Sequence, residues 1–142
     1  PMSPSETTAS VTARRREELI AVARKARENA YAPYSRFNVG AALWARSRKI
    51  YKGCNVENAT YGLTVCAERV AVLKAISEGE RGFAAIAIVA DTEKLTPPCG
   101  ACRQILWEFC GDIEVILANL RGKVETYRLS ELFPNPFEKK FL

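Results

Sequence analysis

Two hydrophobic periodicities divide the chain into helices and strands. Apolar and small residues recur at helical spacing over residues 12–31, and Pro33 would stop that helix. Two more apolar stretches of helical length predict helices over 65–77 and 100–110, the second closed by Gly111. Shorter apolar runs predict five strands, at 37–44, 49–54, 84–90, 114–118 and 124–128. A short helical turn capped by Ser130 is expected near the end of the chain.

The order of these elements predicts the fold class. A leading helix, a strand hairpin, a helix, a strand, a helix and two strands are typical of a three-layer α/β/α domain on a mixed five-stranded sheet. The continuous apolar run at 84–90 predicts a strand that is buried on both faces. We see no repeat and no linker, so we expect one domain over residues 13–142. Residues 1–12 are rich in Ser, Thr and Pro and are expected to form a disordered tail.

Length and composition set limits on class and compartment. The chain has 142 residues, of which 48% are hydrophobic, enough for one globular core. No apolar run approaches the roughly 20 residues that span a bilayer, and the N-terminus lacks a signal-peptide core, so we expect a cytoplasmic protein without membrane contact. Five cysteines cannot all pair with one another, which argues against a complete disulfide framework. Cysteines that stay reduced are typical of the cytoplasm, the compartment expected here.

The positive charge changes this picture little. The net charge is +5 and the sequence pI is about 9.1, which raises the question of nucleic acid. Lys and Arg are scattered, however, and the compact run at 14–16 lies where a helix begins. We interpret the charge as a solvated face and do not expect nucleic acid as a partner.

Candidate chemistry is concentrated in two short cysteine segments. Cys66 precedes Glu68 by two residues, and Cys99 and Cys102 form a Cys-x-x-Cys pair after two prolines. Three thiolates are one ligand short of a closed structural zinc site, and catalytic zinc keeps such an open position for water. Glu68 is then the candidate general base. Because the chain has no histidine, Cys-His and Ser-His catalytic dyads are excluded.

Helix geometry makes a single metal site plausible and leaves two alternatives open. Cys99 and Cys102 share one helix face, whereas Cys66 and Glu68 can reach the same point only if Cys66 stands at the very start of its helix. Arg69 could donate to a thiolate. The alternatives are a four-cysteine structural zinc site that includes Cys54, and a redox pair of Cys99 and Cys102. Cys110 lies about 12 Å along the helix from Cys102 and is too distant.

Three segments of this sequence resemble the small homotetrameric cytidine deaminases. They are residues 53–69, with the letters GCNVENATYGLTVCAER, residues 35–42, SRFNVGAA, and residues 98–104, PCGACRQ. The resemblance covers about residues 14–137. It implies a zinc-dependent hydrolase that converts cytidine and 2′-deoxycytidine to uridine and 2′-deoxyuridine with release of ammonia, a reaction of pyrimidine salvage. The three-cysteine zinc signature with a nearby glutamate is typical of nucleobase deaminases.

The resemblance also implies a role for each candidate site residue. One Zn²⁺ per chain would be held by Cys66, Cys99 and Cys102, and Glu68 would shuttle protons. Substrate would be bound by Phe37, Asn55, Glu57, Ala67 and Phe137. Asn55 and Glu57 would bind the ribose hydroxyls, Phe37 would pack against the pyrimidine ring, and Phe137 would reach into the site of a neighbouring subunit in a homotetramer. Arg69 would bond to a metal-ligating thiolate.

The residues themselves allow other interpretations. Asn55 and Glu57 would ordinarily indicate a polar turn, and Phe37 a core aromatic. A blasticidin S deaminase would share the cysteine cluster but is expected to lack the Asn55 and Glu57 pair. A deaminase of cytosine in single-stranded nucleic acid would need a groove for flanking nucleotides, and a non-catalytic zinc-binding module would need no pocket at all. The sequence does not determine the preference for ribose or deoxyribose, and we expect Cys54 and Cys110 to serve in packing.

Overall fold

Four α-helices and five strands follow one another in residues 11–142, the part of the chain that the structure, a computed structural model, describes. In chain order they are α1 (Ala13–Arg27), β1 (Val39–Ala45), β2 (Ile50–Cys54), α2 (Ala67–Ser77), β3 (Phe83–Ala90), α3 (Gly100–Cys110), β4 (Glu114–Ala118), β5 (Val124–Arg128) and α4 (Leu129–Leu132). Short 3₁₀ helices lie at Tyr61–Leu63 and Lys139–Phe141. Within the described range, no helix has the length and apolar character needed to cross a bilayer.

The five strands form one mixed sheet in the order β2-β1-β3-β4-β5. Strands β3 and β4 are parallel, and the other neighbours are antiparallel. The helix α3 provides the crossover that a parallel pair needs. The prediction of a mixed five-stranded sheet is therefore confirmed.

Side chains from successive positions of the central strands enter two separate hydrophobic clusters. Leu43, Ile86 and Ile88 belong to the cluster beneath α2 and α3, whereas Ala42 and Ala87 belong to the cluster beneath α1. This alternation is what a strand buried on both faces requires. The predicted three-layer α/β/α arrangement follows, with α1 on one face and α2 and α3 on the other.

The leading helix is shorter than its apolar pattern suggests. It ends at Arg27, whereas the helical spacing continues to residue 31. The cause is tertiary: Tyr31 forms a bridge with Val56, in which the Tyr31 amide donates to the carbonyl of Asn55 at 3.0 Å.

The closing helical turn also differs from its prediction, because it begins at Leu129 and the Ser130 hydroxyl bonds to a carboxylate instead of capping the turn.

Only the last two residues of the predicted N-terminal tail lie in the described range. The amide of Val11 donates to the side chain of Glu114 at 3.3 Å, and Val11 is buried. The Thr12 hydroxyl oxygen caps α1 by accepting from the amide of Arg15 at 3.2 Å. These contacts hold residues 11 and 12 against the sheet, and residues 1–10 lie outside the description.

Two glycines allow the helices to approach the sheet at backbone distance. A Cβ atom at Gly40 in β1 would lie 1.9 Å from the carbonyl oxygen of Ala23 in α1. A Cβ atom at Gly53 in β2 would lie 2.6 Å from the carbonyl oxygen of Ala67 in α2. Both distances are far below van der Waals contact, so neither position can hold a side chain without displacement of a helix.

We expect Gly40→Ala to destabilise the protein by about 1–3 kcal/mol or more, because the methyl group would overpack the interface between α1 and β1. Thermal unfolding followed by circular dichroism measures this change. Gly62→Ala is the matched control, since nothing lies within 4 Å of a Cβ atom built there. Equal melting temperatures for the two variants would contradict the close approach.

Candidate active site

Three cysteine side chains converge at the N-terminal ends of two helices. Cys66 is the N-cap of α2 and Cys99 is the N-cap of α3, and both have extended backbone angles. Cys102 lies in the first turn of α3 and is buried. The three Sγ atoms lie within 4.8 Å of one another. The expected placement of Cys66 at the start of its helix is therefore observed.

Positive charge surrounds this thiol cluster from two sources. The N-terminal ends of α2 and α3 both point at it, and helix N-termini carry a partial positive charge. The guanidinium of Arg69 donates to Cys66 Sγ at 3.6 Å and to the carbonyl of Thr64 at 3.2 Å. A hydrogen bond from Cys102, together with Arg69, lowers the pKa of Cys66 to about 5. The site therefore favours thiolate at Cys66.

The alternative with four cysteine ligands finds no fourth thiol. Among the residues the structure describes, the metal-capable cluster contains Cys66, Cys99 and Cys102 and no further cysteine. Cys110 is buried at the far end of α3, and half-buried Cys54 ends β2. The sulfurs of Cys99 and Cys102 are 3.3 Å apart, but a redox pair leaves the third thiol at this point unexplained.

Glu68 lies in the first turn of α2, next to these thiols, with only 5% of its surface exposed. Desolvation raises the pKa of its carboxyl group to about 7. A group with a pKa near neutrality can both accept and return a proton, which is what a general acid-base catalyst needs. The structure thus places a proton carrier beside a metal-binding cluster.

Cys66, Cys99 and Glu68 line a cavity of about 230 Å³. Its volume lies below the roughly 300–1,000 Å³ typical of pockets for drug-sized ligands, so it suits one small molecule. The cavity walls come from five segments of the chain and are formed by Ser35, Phe37, Val39, Asn55, Glu57, Thr64, Cys66, Ala67, Glu68, Ile88, Thr96, Pro97 and Cys99.

Asn55 lines the same cavity and is 8% exposed. Its side-chain oxygen accepts from the amide of Val39 at 2.9 Å, and its side-chain nitrogen donates to the carbonyl of Phe37 at 2.7 Å. This pairing holds the segment before β1 in place. One amide hydrogen of Asn55 is not used in these two bonds and can donate to a ligand.

The carboxylate of Glu57 is held by the turn before β1. Its Oε1 atom accepts from the amides of Tyr34 at 3.0 Å and Ser35 at 3.1 Å, and its Oε2 atom accepts from the Ser35 hydroxyl. The hydroxyl bond from Ser35 is the main cause that lowers the pKa of Glu57 below its usual range. Glu57 is thereby kept as an anion at the cavity mouth.

Ser35 is a cavity residue to which the sequence pattern assigned no role of its own. Its hydroxyl oxygen accepts from the amide of Phe37 at 3.0 Å. Serine side chains in turns often accept from the amide two residues further along the chain, so this local bond could have been anticipated. Its bond to Glu57 spans 22 residues, however, and no local signal predicts such a contact.

The remaining predicted substrate residues fall into two groups. Phe37, 40% exposed, and the buried Ala67 line the cavity with Asn55 and Glu57. Phe137 does not line it: its ring is 56% exposed on the C-terminal tail and stacks on Phe141 at 5.9 Å. The side chain of Gln104 in α3 donates to the Phe137 carbonyl at 2.9 Å, which anchors the tail to α3.

The thiol cluster suits zinc better than it suits a harder cation. Three thiolates with no carboxylate among the ligands are a soft donor set, which zinc binds and calcium or magnesium do not. One zinc ion with three thiolates has a net charge of about −1, and Arg69 and the two helix N-termini are arranged to offset it. Cys66, Cys99 and Cys102 would hold the ion.

Comparisons with known proteins assign most of the chain to one family. Residues 13–118 match the family model described as the cytidine and deoxycytidylate deaminase zinc-binding region. A cytidine deaminase of Sporosarcina psychrophila is 54% identical over 127 residues, covering 89% of this chain and 93% of the relative. A cytidine deaminase of Halalkalibacterium halodurans is 54% identical over 123 residues, covering 86% and 93%.

The fold has a close counterpart among solved structures. The crystal structure of cytidine deaminase from Burkholderia pseudomallei superposes with a TM-score of 0.84 at 48% identity. The match covers 89% of this chain and 100% of that chain. The likeness therefore extends over most of the fold.

We expect Cys66→Ala to abolish zinc binding, because two remaining thiols leave the ion without its third protein ligand. Metal analysis after gel filtration should find about one zinc per chain in the wild type and close to none in the variant. Cys54→Ala is the matched control and should retain zinc, since Cys54 lies outside the cluster. Loss of zinc in both variants would contradict the three-thiol site.

Proposed function

The chain belongs to the zinc-binding cytidine and deoxycytidylate deaminase family, and on this premise we propose that it hydrolyses cytidine and 2′-deoxycytidine. Water adds its oxygen to C4 of the pyrimidine ring, and the bond from C4 to the exocyclic nitrogen breaks. The products are uridine or 2′-deoxyuridine and ammonia. We further propose that residues 13–142 act as one catalytic domain.

The single observation that supports this proposal is the composition of one cavity. Cys66, Cys99 and a buried carboxylate with a pKa near 7 line the cavity together with the polar pair Asn55 and Glu57, and Cys102 completes the thiol cluster beside it. A metal site alone would need no polar pair, and a binding site alone would need no buried proton carrier.

Glu68 is assigned the proton transfers. A bound zinc ion would supply Lewis acidity, which lowers the pKa of the attacking water. The Glu68 carboxylate takes a proton from that water as the oxygen attacks C4, and passes it to N3 of the ring. It then takes the remaining proton from the oxygen added at C4 and delivers it to the departing nitrogen, so that the C4 carbonyl forms as ammonia leaves. Burial of Glu68 excludes solvent from both transfers.

The remaining cavity residues orient the nucleoside. Glu57 accepts from a sugar hydroxyl, and the free amide hydrogen of Asn55 donates to a sugar oxygen. Phe37 packs on the pyrimidine ring, and Ala67 forms the wall beside Glu68. Arg69 orients the Cys66 thiolate through its hydrogen bond. The sugar and the base are thus bound by opposite ends of one small cavity.

The size of the cavity favours a free nucleoside over a polynucleotide. A cavity of about 230 Å³ suits one small molecule, whereas a polynucleotide substrate also needs a groove for its flanking nucleotides. The Asn55 and Glu57 pair favours a sugar-bearing substrate over blasticidin S. Both arguments support pyrimidine salvage as the role of the reaction.

We also propose a homotetramer in which sites are shared between subunits. The tail of each chain presents Phe137 and Phe141 to its surroundings, both more than half exposed. Two stacked aromatic rings on one tail are an apolar surface that a neighbouring subunit can cover. A cytoplasmic location is in keeping with five free cysteines, three of them in a metal-capable cluster.

The proposed function is tested by ammonia release from zinc-loaded protein and cytidine, with Glu68→Gln as the paired variant. The wild type should convert cytidine to uridine stoichiometrically. The variant should keep its zinc and lose turnover by about three or more orders of magnitude, because glutamine cannot carry a proton. Glu93→Gln, an exposed carboxylate in a loop, is the control and should remain active.

Each result of this experiment has a separate meaning. Near-normal turnover in zinc-replete Glu68→Gln would remove Glu68 from its assigned role. A wild type that holds zinc but leaves cytidine intact would overturn the substrate, and blasticidin S and single-stranded oligonucleotides would be assayed next.

We expect Phe137→Ala to raise KM for cytidine and to weaken subunit association, because the exposed ring is assigned to a neighbouring site. Sedimentation velocity and steady-state kinetics measure the two effects. Leu142→Ala, at the exposed end of the same tail, is the control and should change neither. A tetramer with unaltered KM in Phe137→Ala would refute the sharing of sites.

A further inference from the structure

Ser35 stands between the two residues assigned to base and sugar recognition. Its hydroxyl oxygen accepts from the Phe37 amide at 3.0 Å, and the same hydroxyl donates to Oε2 of Glu57. A hydroxyl can accept and donate at once, so the Ser35 side chain connects the Phe37 amide to the Glu57 carboxylate. Within residues 11–142, Ser35 bridges Phe37 and Glu57, which share no direct hydrogen bond.

The carboxylate of Glu57 has little freedom left once these bonds are made. A carboxylate offers about four acceptor positions, and three of them are taken by the Tyr34 amide, the Ser35 amide and the Ser35 hydroxyl. The position that stays open is on Oε2, the atom that the Ser35 hydroxyl holds. The orientation available to a sugar hydroxyl is therefore set by Ser35.

The turn that carries Ser35 is held in an uncommon conformation. Arg36, between Ser35 and Phe37, has a φ of 59° in the left-handed region, which is unfavourable for a residue with a long side chain. The bonds from Ser35 to Glu57 and from Asn55 to Phe37 lie on either side of it. Such a conformation persists where surrounding contacts determine it.

We propose that Ser35 is a positioning residue that fixes Glu57 and the Phe37 backbone in one arrangement, so that sugar and base recognition are coupled. The inference rests on the proposed function, since it assigns the coupling to a nucleoside. Loss of the Ser35 hydroxyl should therefore lower kcat/KM for a nucleoside that carries sugar hydroxyls. The loss should be smaller for a nucleoside that lacks them.

The chain contains a second copy of the same local motif, which serves as a matched control. In Ser47-Arg48-Lys49 the Lys49 amide donates to the Ser47 hydroxyl oxygen at 3.4 Å, and the hydroxyl donates to Oε2 of Glu80. Arg48 also has a positive φ, of 76°. This turn joins β1 to β2, and neither Ser47 nor Glu80 lines the cavity.

The experiment compares wild type, Ser35→Ala, Ser35→Thr and Ser47→Ala on cytidine and on 2′,3′-dideoxycytidine. The ratio of kcat/KM for the two substrates should fall about tenfold in Ser35→Ala, mainly through KM for cytidine. Ser35→Thr keeps a hydroxyl and should restore the ratio, and Ser47→Ala should leave it unchanged. An equal loss on both substrates, or no loss, would overturn the coupling.

A second measurement does not depend on activity. Amide hydrogen exchange at Phe37 should be about tenfold faster in Ser35→Ala, because its acceptor is removed. In Ser47→Ala the change should occur at Lys49 and spare Phe37. Unchanged exchange at Phe37 in Ser35→Ala would overturn the inference, whatever the substrate is. If the wild type were inactive on cytidine but Phe37 exchanged faster in Ser35→Ala, only the proposed function would be contradicted.

Discussion

The site depends on one constraint: two helices must begin at the same point on one face of the sheet. Cys66 and Cys99 are both N-cap residues, so the same positions that start the helices also carry the thiols. The parallel pairing of β3 and β4 places α3 beside α2. Because the helix ends supply partial positive charge, the backbone itself stabilises the thiolates that it brings together.

Much of the fold could be predicted because local signals and tertiary structure agree. The bounds of α3, β4 and β5 match their predictions, and α3 ends at a clear breaker, Gly111. The error at the end of α1 has the opposite cause. The helical pattern continues to Tyr31, but a bridge to Val56 takes that residue into extended structure. A contact across 25 residues cannot be found in a window of helical length.

The candidate site likewise contains residues that the sequence could identify and residues that it could not. Cys66, Glu68, Cys99 and Cys102 could be found because their residue types and spacings carry the chemistry. Ser35 could not, since a serine in a turn is common and its partner is remote in sequence. The proposed contact of Phe137 with another subunit would be a property of an assembly, and no short spacing in the sequence encodes it.

The glycines in the sheet have a consequence for engineering. At Gly40 and Gly53 the helices rest directly on the backbone of the sheet, so backbone contact, and not a side chain of adjustable size, sets the spacing of the layers. We therefore expect changes of substrate scope to arise in the loops around the cavity, near residues 34–37, 57–64 and 96–98. A mutant library confined to these loops should sample new specificities while the layered frame stays constant.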